Sequence, residues 1–366
     1  MNTKLGLYIH IPFCNKKCPY CDFFSKTKNS EDIDFYTNEL LKSIKYWGNK
    51  TDRVITSIYF GGGTPNMLGV DNLCKLLSAV YKNFTVEKNA EITTELNPTY
   101  SDSIDFKKLL KTGFNRLSFG MQSANDEELK FLNREHTSEE VKSVIKKAQN
   151  DGFKNISLDL MLGIPKQTKS SLTKSIKFCK DCNVEHISAY ILKVEENTPF
   201  YKNQSSLNIP DSDAQADLYL LACEELEKAG YYQYEISNFS KKGFESRHNL
   251  TYWECEEYIG IGPSAHSFFN GKRFYYPRSF KDFYNNNITE DGFGGDEKEY
   301  IMLNLRLAKG INFKDFEKRF SKKISGNIIS KAKLYERNGF INFSENGINL
   351  TGKGFLVSNY IIADLI

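Results

Sequence analysis

The sequence predicts an α/β chain: a curved, partial (β/α)6 barrel of the TIM type, followed by a smaller, mainly helical, winged-helix-like C-terminal domain. Three observations predict it. Six short apolar runs, at residues 7–11, 54–60, 90–96, 116–121, 155–161 and 186–192, alternate with helical patterns, which calls for a parallel sheet with right-handed crossovers. Six units are fewer than the eight of a closed barrel. Nearly every run is followed by cysteines, glycines or isolated polar residues, the distribution expected when a site is built at the C-terminal ends of barrel strands. Past residue 200 the composition shifts. The expected organisation is a barrel over 1–200, an aromatic-rich extension over 201–290 and a small domain over 291–366.

A chain of 366 residues can bury a substantial core. With 26% charged residues and a mean hydropathy of −0.50, and no apolar run near the roughly 18 residues of a membrane span, a cytoplasmic globular protein is expected. Nothing before Leu5 resembles a secretory signal. The formal charge of +3 is too small to argue for nucleic acid.

The first run leads through Pro12 into Cys14, Cys18 and Cys21, spaced Cys-x3-Cys-x2-Cys, with Pro19 inside the loop. The prolines fix turns and prevent a helix between the thiols. A [4Fe-4S] cluster normally takes four thiolates, so three of them leave one iron open to a small molecule. Zinc is the rival, with His10 as the nearby fourth donor. A disulfide needs an oxidising compartment. The spacing favours the cluster.

The second run ends in Gly61-Gly62-Gly63-Thr64-Pro65, the third in Glu95, Asn97 and Pro98. The fourth ends near Gln122, followed by Arg134, and the fifth carries Asp159 before Gly163 and Pro165. Three glycines make a plain turn, or let the backbone approach a ligand closely, which suits the ammonium and carboxylate of an amino acid. Glu95, Gln122 and Asp159 lie in or beside apolar strands, where an unpaired carboxylate is costly, so each needs a partner. Arg134, taken without context, reads as an ordinary helix-surface charge. Between the fourth and fifth runs, Thr137 and Glu140 form a capping box for a helix over 137–151, with Val141, Val144, Ile145 and Ala148 as its apolar stripe.

A helix over 212–229 places Cys223 on its apolar stripe; Cys74 and Cys255 also read as core, and Cys179 and Cys182 make a lone C-x2-C. Residues 231–284 hold sixteen Phe, Tyr and Trp in 54 positions, about twice the share of the whole chain, so a flat aromatic ligand is plausible. Within this stretch lies RHNLTYW, residues 247–253. His248 reads either as a haem-iron ligand, with Arg247, Arg273 or Arg278 for propionates, or as a hydrogen-bonded histidine among core aromatics. The tail predicts helices at 300–307, 313–320 and 324–338, strands at 340–343 and 348–350 joined by an Asn346-Gly347 turn, and a final helix. No basic recognition helix accompanies them.

YIHIPFCNKKCPYCDF, GGGTPNML, ELNP, GFNRLSFGMQS, NREH, LDLMLGIPKQT, HISAY and YEISNF resemble the coproporphyrinogen-dehydrogenase branch of the radical S-adenosylmethionine (SAM) superfamily over nearly the whole chain. The resemblance implies a radical SAM barrel, with a [4Fe-4S] cluster on Cys14, Cys18 and Cys21 whose open iron takes the amino acid end of SAM. It implies that Tyr8 packs near the methionine part and that Tyr20 contributes a backbone contact beside the cluster. Gly62, Gly63 and Thr64 would bind the amino acid end, and Glu95, Gln122, Arg134 and Asp159 would surround the carboxylate and ribose. Lys193 aligns with a further backbone contact. HNLTYW matches the HNxxYW signature of the HemW-type haem chaperones of this branch, which implies haem binding through His248, Asn249, Tyr252 and Trp253.

Two functions then compete: a haem chaperone delivering haem to recipient proteins, and an oxygen-independent coproporphyrinogen III dehydrogenase working through a 5′-deoxyadenosyl radical. Dehydrogenases of this branch carry another cysteine two residues after the third, where Phe23 stands, and a long segment before the motif, which here starts at Tyr8. With HNLTYW, both favour the chaperone. A cluster used only for electron transfer leaves the SAM-type residues unexplained. The resemblance also implies a flavodoxin- or ferredoxin-type electron donor, and it is compatible with a homodimer and with peripheral association at a membrane.

Overall fold

A computed structural model describes residues 4–27, 30–101 and 103–366. Six parallel strands form the predicted barrel: β1 (Lys4–Ile11), β2 (Val54–Gly62), β3 (Thr85–Leu96), β4 (Arg116–Gln122), β5 (Ile156–Leu162) and β6 (His186–Ile191). Crossovers run through α1 (Ser30–Gly48), α2 (Val70–Asn83), α3 (Phe106–Thr112), α4 (Asp126–Phe131), α5 (Ser138–Asn150) and α6 (Lys169–Asp181). In β1, Leu7, Ile9 and Ile11 join the apolar core beneath these helices, while the alternate residues Tyr8 and His10 make polar contacts. That alternation gives the barrel an apolar outside and a polar interior.

Helix α5 starts where Thr137 accepts from the Glu140 N–H and Glu140 accepts from the Thr137 N–H at 2.6 Å. It buries Val141, Val144, Ile145 and Ala148, the predicted stripe. Each fully buried Val or Ile contributes about 1.5–3 kcal/mol, so this face fixes the crossover far more than the cap does. After β6, α7 (Ser212–Lys228) packs back on the barrel with Asp211 as its cap.

The sheet does not end at β6. Strands β7 (Tyr232–Glu235) and β8 (Asn238–Ser240) extend that edge antiparallel; after α8 (Arg247–Trp253), β9 (Tyr258–Ile261) crosses to the other edge and pairs parallel with β1. Strands β10 (His266–Phe269), β11 (Lys272–Tyr275) and β12 (Thr289–Phe293) continue antiparallel. The order is β12-β11-β10-β9-β1-β2-β3-β4-β5-β6-β8-β7. The parallel part thus has seven strands rather than six, and the aromatic-rich segment supplies strands to both edges. Its rings are largely core: Tyr276, Phe274 and Phe283 are buried, and Trp47 stacks on Phe274.

The C-terminal region holds β13 (Ile311–Asn312), β14 (Ile341–Ser344) and β15 (Gly347–Leu350), in the order β13-β15-β14, with helices Phe313–Phe320, Gly326–Arg337 and Ser358–Leu365. The hairpin turn is corrected by one residue. Ser344 pairs with Gly347, so Glu345 and Asn346 form the loop. Gly347 is a strand residue, required because a Cβ there would lie 2.1 Å from the Ile311 carbonyl oxygen. Cys74, Cys179, Cys182 and Cys255 are buried thiols. No helix among the described residues is long and apolar enough to cross a membrane.

Candidate functional site

The cysteine loop is tied down by its neighbours. The Lys26 N–H donates to the Pro12 carbonyl at 2.7 Å, and the Cys21 N–H to Cys18 at 3.2 Å. The glycine run at the end of β2 docks on the same loop: the Gly63 N–H donates to Ile11 and the Thr64 N–H to Phe13, both at 2.8 Å. A Cβ on Gly63 would meet these two carbonyls at 2.8–2.9 Å, and one on Gly62 would enter the His10 ring at 2.4 Å. The glycines are therefore demanded by packing as well as by any ligand.

His10 is removed as a metal ligand. Its Nδ1 bonds the Tyr8 hydroxyl and its Nε2 the Phe24 carbonyl, each at 2.9 Å, and burial lowers its pKa to about 4. Among the described residues no three His, Cys, Asp or Glu side chains converge on one metal ion. All three loop thiols are free; burial raises Cys14 and pushes Cys21 up to about 11. The Cys14 and Cys21 thiols need a metal centre to become thiolates near neutral pH.

One cavity brings together Cys14, Cys18 and Cys21 with Tyr20, Gly62, Gly63, Thr64, Glu95, Gln122, Arg134 and Asp159. Glu95 accepts from the Tyr59 hydroxyl at 2.8 Å and the Gly62 N–H at 3.0 Å. Burial, with Asp159 nearby, still raises its pKa to about 7. Asp159 accepts from the Ser118 hydroxyl at 3.3 Å; burial lifts it to about 6, with Arg116 pulling the other way. Arg134 is no surface charge. It donates to Cys18 Sγ at 3.5 Å, the Gly120 carbonyl at 2.7 Å and Asn97 Oδ1 at 3.4 Å, while its buried Nε has no partner. Gln122 sits at φ +69°, a strained value for a non-glycine residue, and accepts from the Tyr190 hydroxyl at 2.8 Å. Tyr190 and Ser118 were missed in the sequence; Tyr190, closing HISAY at a strand end, carried a readable signal.

Two expected residues lie apart. Tyr8 does not line the cavity; it sits behind it, bonded to His10 and 6.3 Å from the Tyr59 ring. The Lys193 side chain is 80% exposed, pairs with Glu195 at 2.7 Å and lines a separate surface groove.

The HNLTYW segment is helix α8, capped by Ser246, and it meets the strands on the N-terminal side of the cavity residues. His248 is buried. Its Nδ1 bonds Ser57 Oγ at 2.9 Å, its Nε2 the Tyr252 hydroxyl at 2.7 Å, and its ring stacks on Tyr59 at 5.2 Å. Burial holds its pKa near 3, so it is neutral. Tyr252 packs edge-on against Tyr258 at 4.5 Å, Trp253 lies under the Arg306 guanidinium, and the half-buried Asn249 gives its N–H to Ser246. The three arginines considered for propionates are engaged: Arg247 with Glu87 and Asn89, Arg273 with Glu299, Arg278 with Asp22.

Comparison with known proteins follows the same division. The pattern described as the radical SAM superfamily matches residues 8–179, and the HemN C-terminal domain matches residues 298–357. The chain is 36% identical to the heme chaperone HemW of Bacillus subtilis (strain 168), covering 97% of each. It is 38% identical to the heme chaperone HemW of Escherichia coli (strain K12), covering 72% of this chain and 69% of the relative. Among solved structures, coproporphyrinogen III oxidase (HemN) from Escherichia coli superposes with a TM-score of 0.84 at 22% identity, covering 99% of this chain and 89% of the other. That similarity speaks to fold.

Proposed function

We propose, from the premise that this chain belongs to the HemW family of the radical SAM superfamily, that it binds haem at helix α8 and hands it to recipient proteins while carrying a [4Fe-4S] cluster and SAM at the barrel mouth. The residues fit both groups at the mouth. Three thiols outside any disulfide share a cavity with an arginine whose buried Nε has no partner, as a site for an anionic group requires. Cys14, Cys18 and Cys21 would hold the cluster. Arg134 would take the carboxylate of SAM, and Glu95 and Asp159 its cationic and hydroxyl groups. Bound together, the two groups supply one-electron reductive chemistry; an electron donor of the flavodoxin or ferredoxin type suits it. The enclosing residues exclude water and fix orientation. Eight cysteines without a disulfide suit a reducing compartment such as the cytoplasm.

The single observation that carries the haem reading is the state of His248. Ser57 fixes Nδ1, the arrangement of an oriented metal-ligating histidine, and only the Tyr252 hydroxyl stands on Nε2. Haem iron would take the place of the Tyr252 hydroxyl at Nε2, with the Ser57 bond to Nδ1 retained.

The test is an anaerobic titration of cluster-reconstituted protein with haem, followed by absorbance, beside an assay for coproporphyrinogen III decarboxylation. Stoichiometric haem binding without decarboxylation is expected. His248→Ala should lose stable haem and keep the cluster; Cys18→Ala should lose the cluster. Unchanged haem binding in His248→Ala removes it as the ligand, and decarboxylation without retained haem overturns the chaperone reading.

A further inference from the structure

Helix α8 rests on one row of the sheet. Gly6, Ser57 and Glu91 are register partners across β1, β2 and β3, and each meets the helix differently. At Gly6 the missing side chain makes room for Thr251, whose Cγ2 would stand 3.2 Å from a Cβ there. Ser57 bonds the His248 ring. Glu91 takes the helix start: its Oε2 accepts the Arg247 N–H at 3.0 Å, and its Oε1 accepts the His248 N–H at 3.1 Å and the Ser246 hydroxyl at 3.4 Å.

Glu91 is 6% exposed and forms no ion pair with any described residue. A carboxylate taken out of water without a cation is costly. Here the first free N–H groups of a helix offset that cost, since these donors have no partner within the helix. The interaction is also specific in direction. A seven-residue helix has too few internal bonds to hold itself, so its orientation comes from what it is anchored to, and Glu91 grips the backbone of His248 itself.

We propose that Glu91 is the positioning residue of the haem-motif helix, fixing its start on the sheet and so aiming His248. The proposal rests on the haem reading above. Glu91 touches no haem; it acts through the helix. Replacing one oxygen by an amide hydrogen donor leaves a single acceptor for three donors and turns the lost contact into a repulsion.

The experiment compares wild-type protein with Glu91→Gln in three measurements: cluster content after reconstitution, haem affinity by absorbance titration, and the absorption spectrum of the bound haem. If the wild-type protein binds no haem, the haem reading fails and this inference with it. Given wild-type binding, Glu91→Gln with a full cluster should bind haem about tenfold more weakly, with a spectrum displaced from that of the wild-type ligation. A full cluster with wild-type affinity and spectrum overturns the proposal. Should Glu91→Gln fail to take up its cluster, Glu91→Asp decides: it keeps the carboxylate but draws it back from the Arg247 and His248 N–H groups, with an expected weakening of about threefold and the same spectral displacement. Unchanged haem binding there overturns the proposal.

Discussion

Tyr59 donates its phenolic hydrogen to Glu95 across 2.8 Å, while the same ring stacks on His248. One side chain therefore touches both the cysteine-side cavity and the haem-motif helix. Tyr59→Phe should cost about 1.5–3 kcal/mol, the range for a lost bond to a charged partner, read by denaturant unfolding. It should also raise the pH at which Glu95 ionises, because the phenol's hydrogen bond holds that pKa down.

The charge of Glu95 sets the next expectation. Burial raises it to about 7, so the free protein carries a proton there below neutrality that a cationic ligand must displace. SAM affinity, measured by equilibrium dialysis, should rise between pH 6 and 8 by up to about tenfold. Glu95→Gln should bind more weakly and show a shallower profile over that window, what remains coming from Asp159, raised to about 6. A raised carboxyl binds its proton more tightly folded than unfolded, so its contribution to stability falls as pH climbs from about 4 to about 7. The buried neutral histidines His10 and His248, lowered to about 4 and about 3, act oppositely, losing stability as pH drops below about 6.5.

Arg134 uses its fork. Lysine has neither the planar geometry nor the reach to serve Cys18, Gly120 and Asn97 together. Arg134→Lys should keep the iron and sulfide content of the reconstituted protein yet weaken SAM binding at least about tenfold. Full retention of SAM affinity would contradict the assignment.

Gly62→Ala should destabilise by about 3 kcal/mol or more, since φ is +113° and the new Cβ enters a ring whose two nitrogens are both committed. Gly69→Ala is the control. Its φ is +80° and ψ 154°, a glycine-only region, but nothing lies within 4 Å, so only the backbone cost of about 1–3 kcal/mol applies. Thermal unfolding of the two variants separates clash from strain.

Much of this was legible in the sequence for local reasons. Six strands announced themselves by apolar runs, and the Thr137–Glu140 box by its spacing. The cavity residues were legible because barrel strands end together. Strand β9 was not: four residues, Tyr258–Ile261, in a glycine-rich stretch resemble a loop, and pairing with β1 is a tertiary event with no local trace. Nor was the direction of α8. Its i,i+4 spacing puts His248 and Tyr252 on one face, but only the docking on Gly6, Ser57 and Glu91 turns that face inward. Gly347 misled because its freedom from a side chain serves contact with Ile311 rather than a turn.

The pairing of β9 with β1 also sets an order in time. Gly6 lies opposite Tyr258, so about 250 residues must leave the ribosome before the strand that precedes the cysteines is flanked on both sides. At about 5–20 residues per second that is on the order of ten to fifty seconds. Through that interval β1 offers an unpaired edge to other nascent chains.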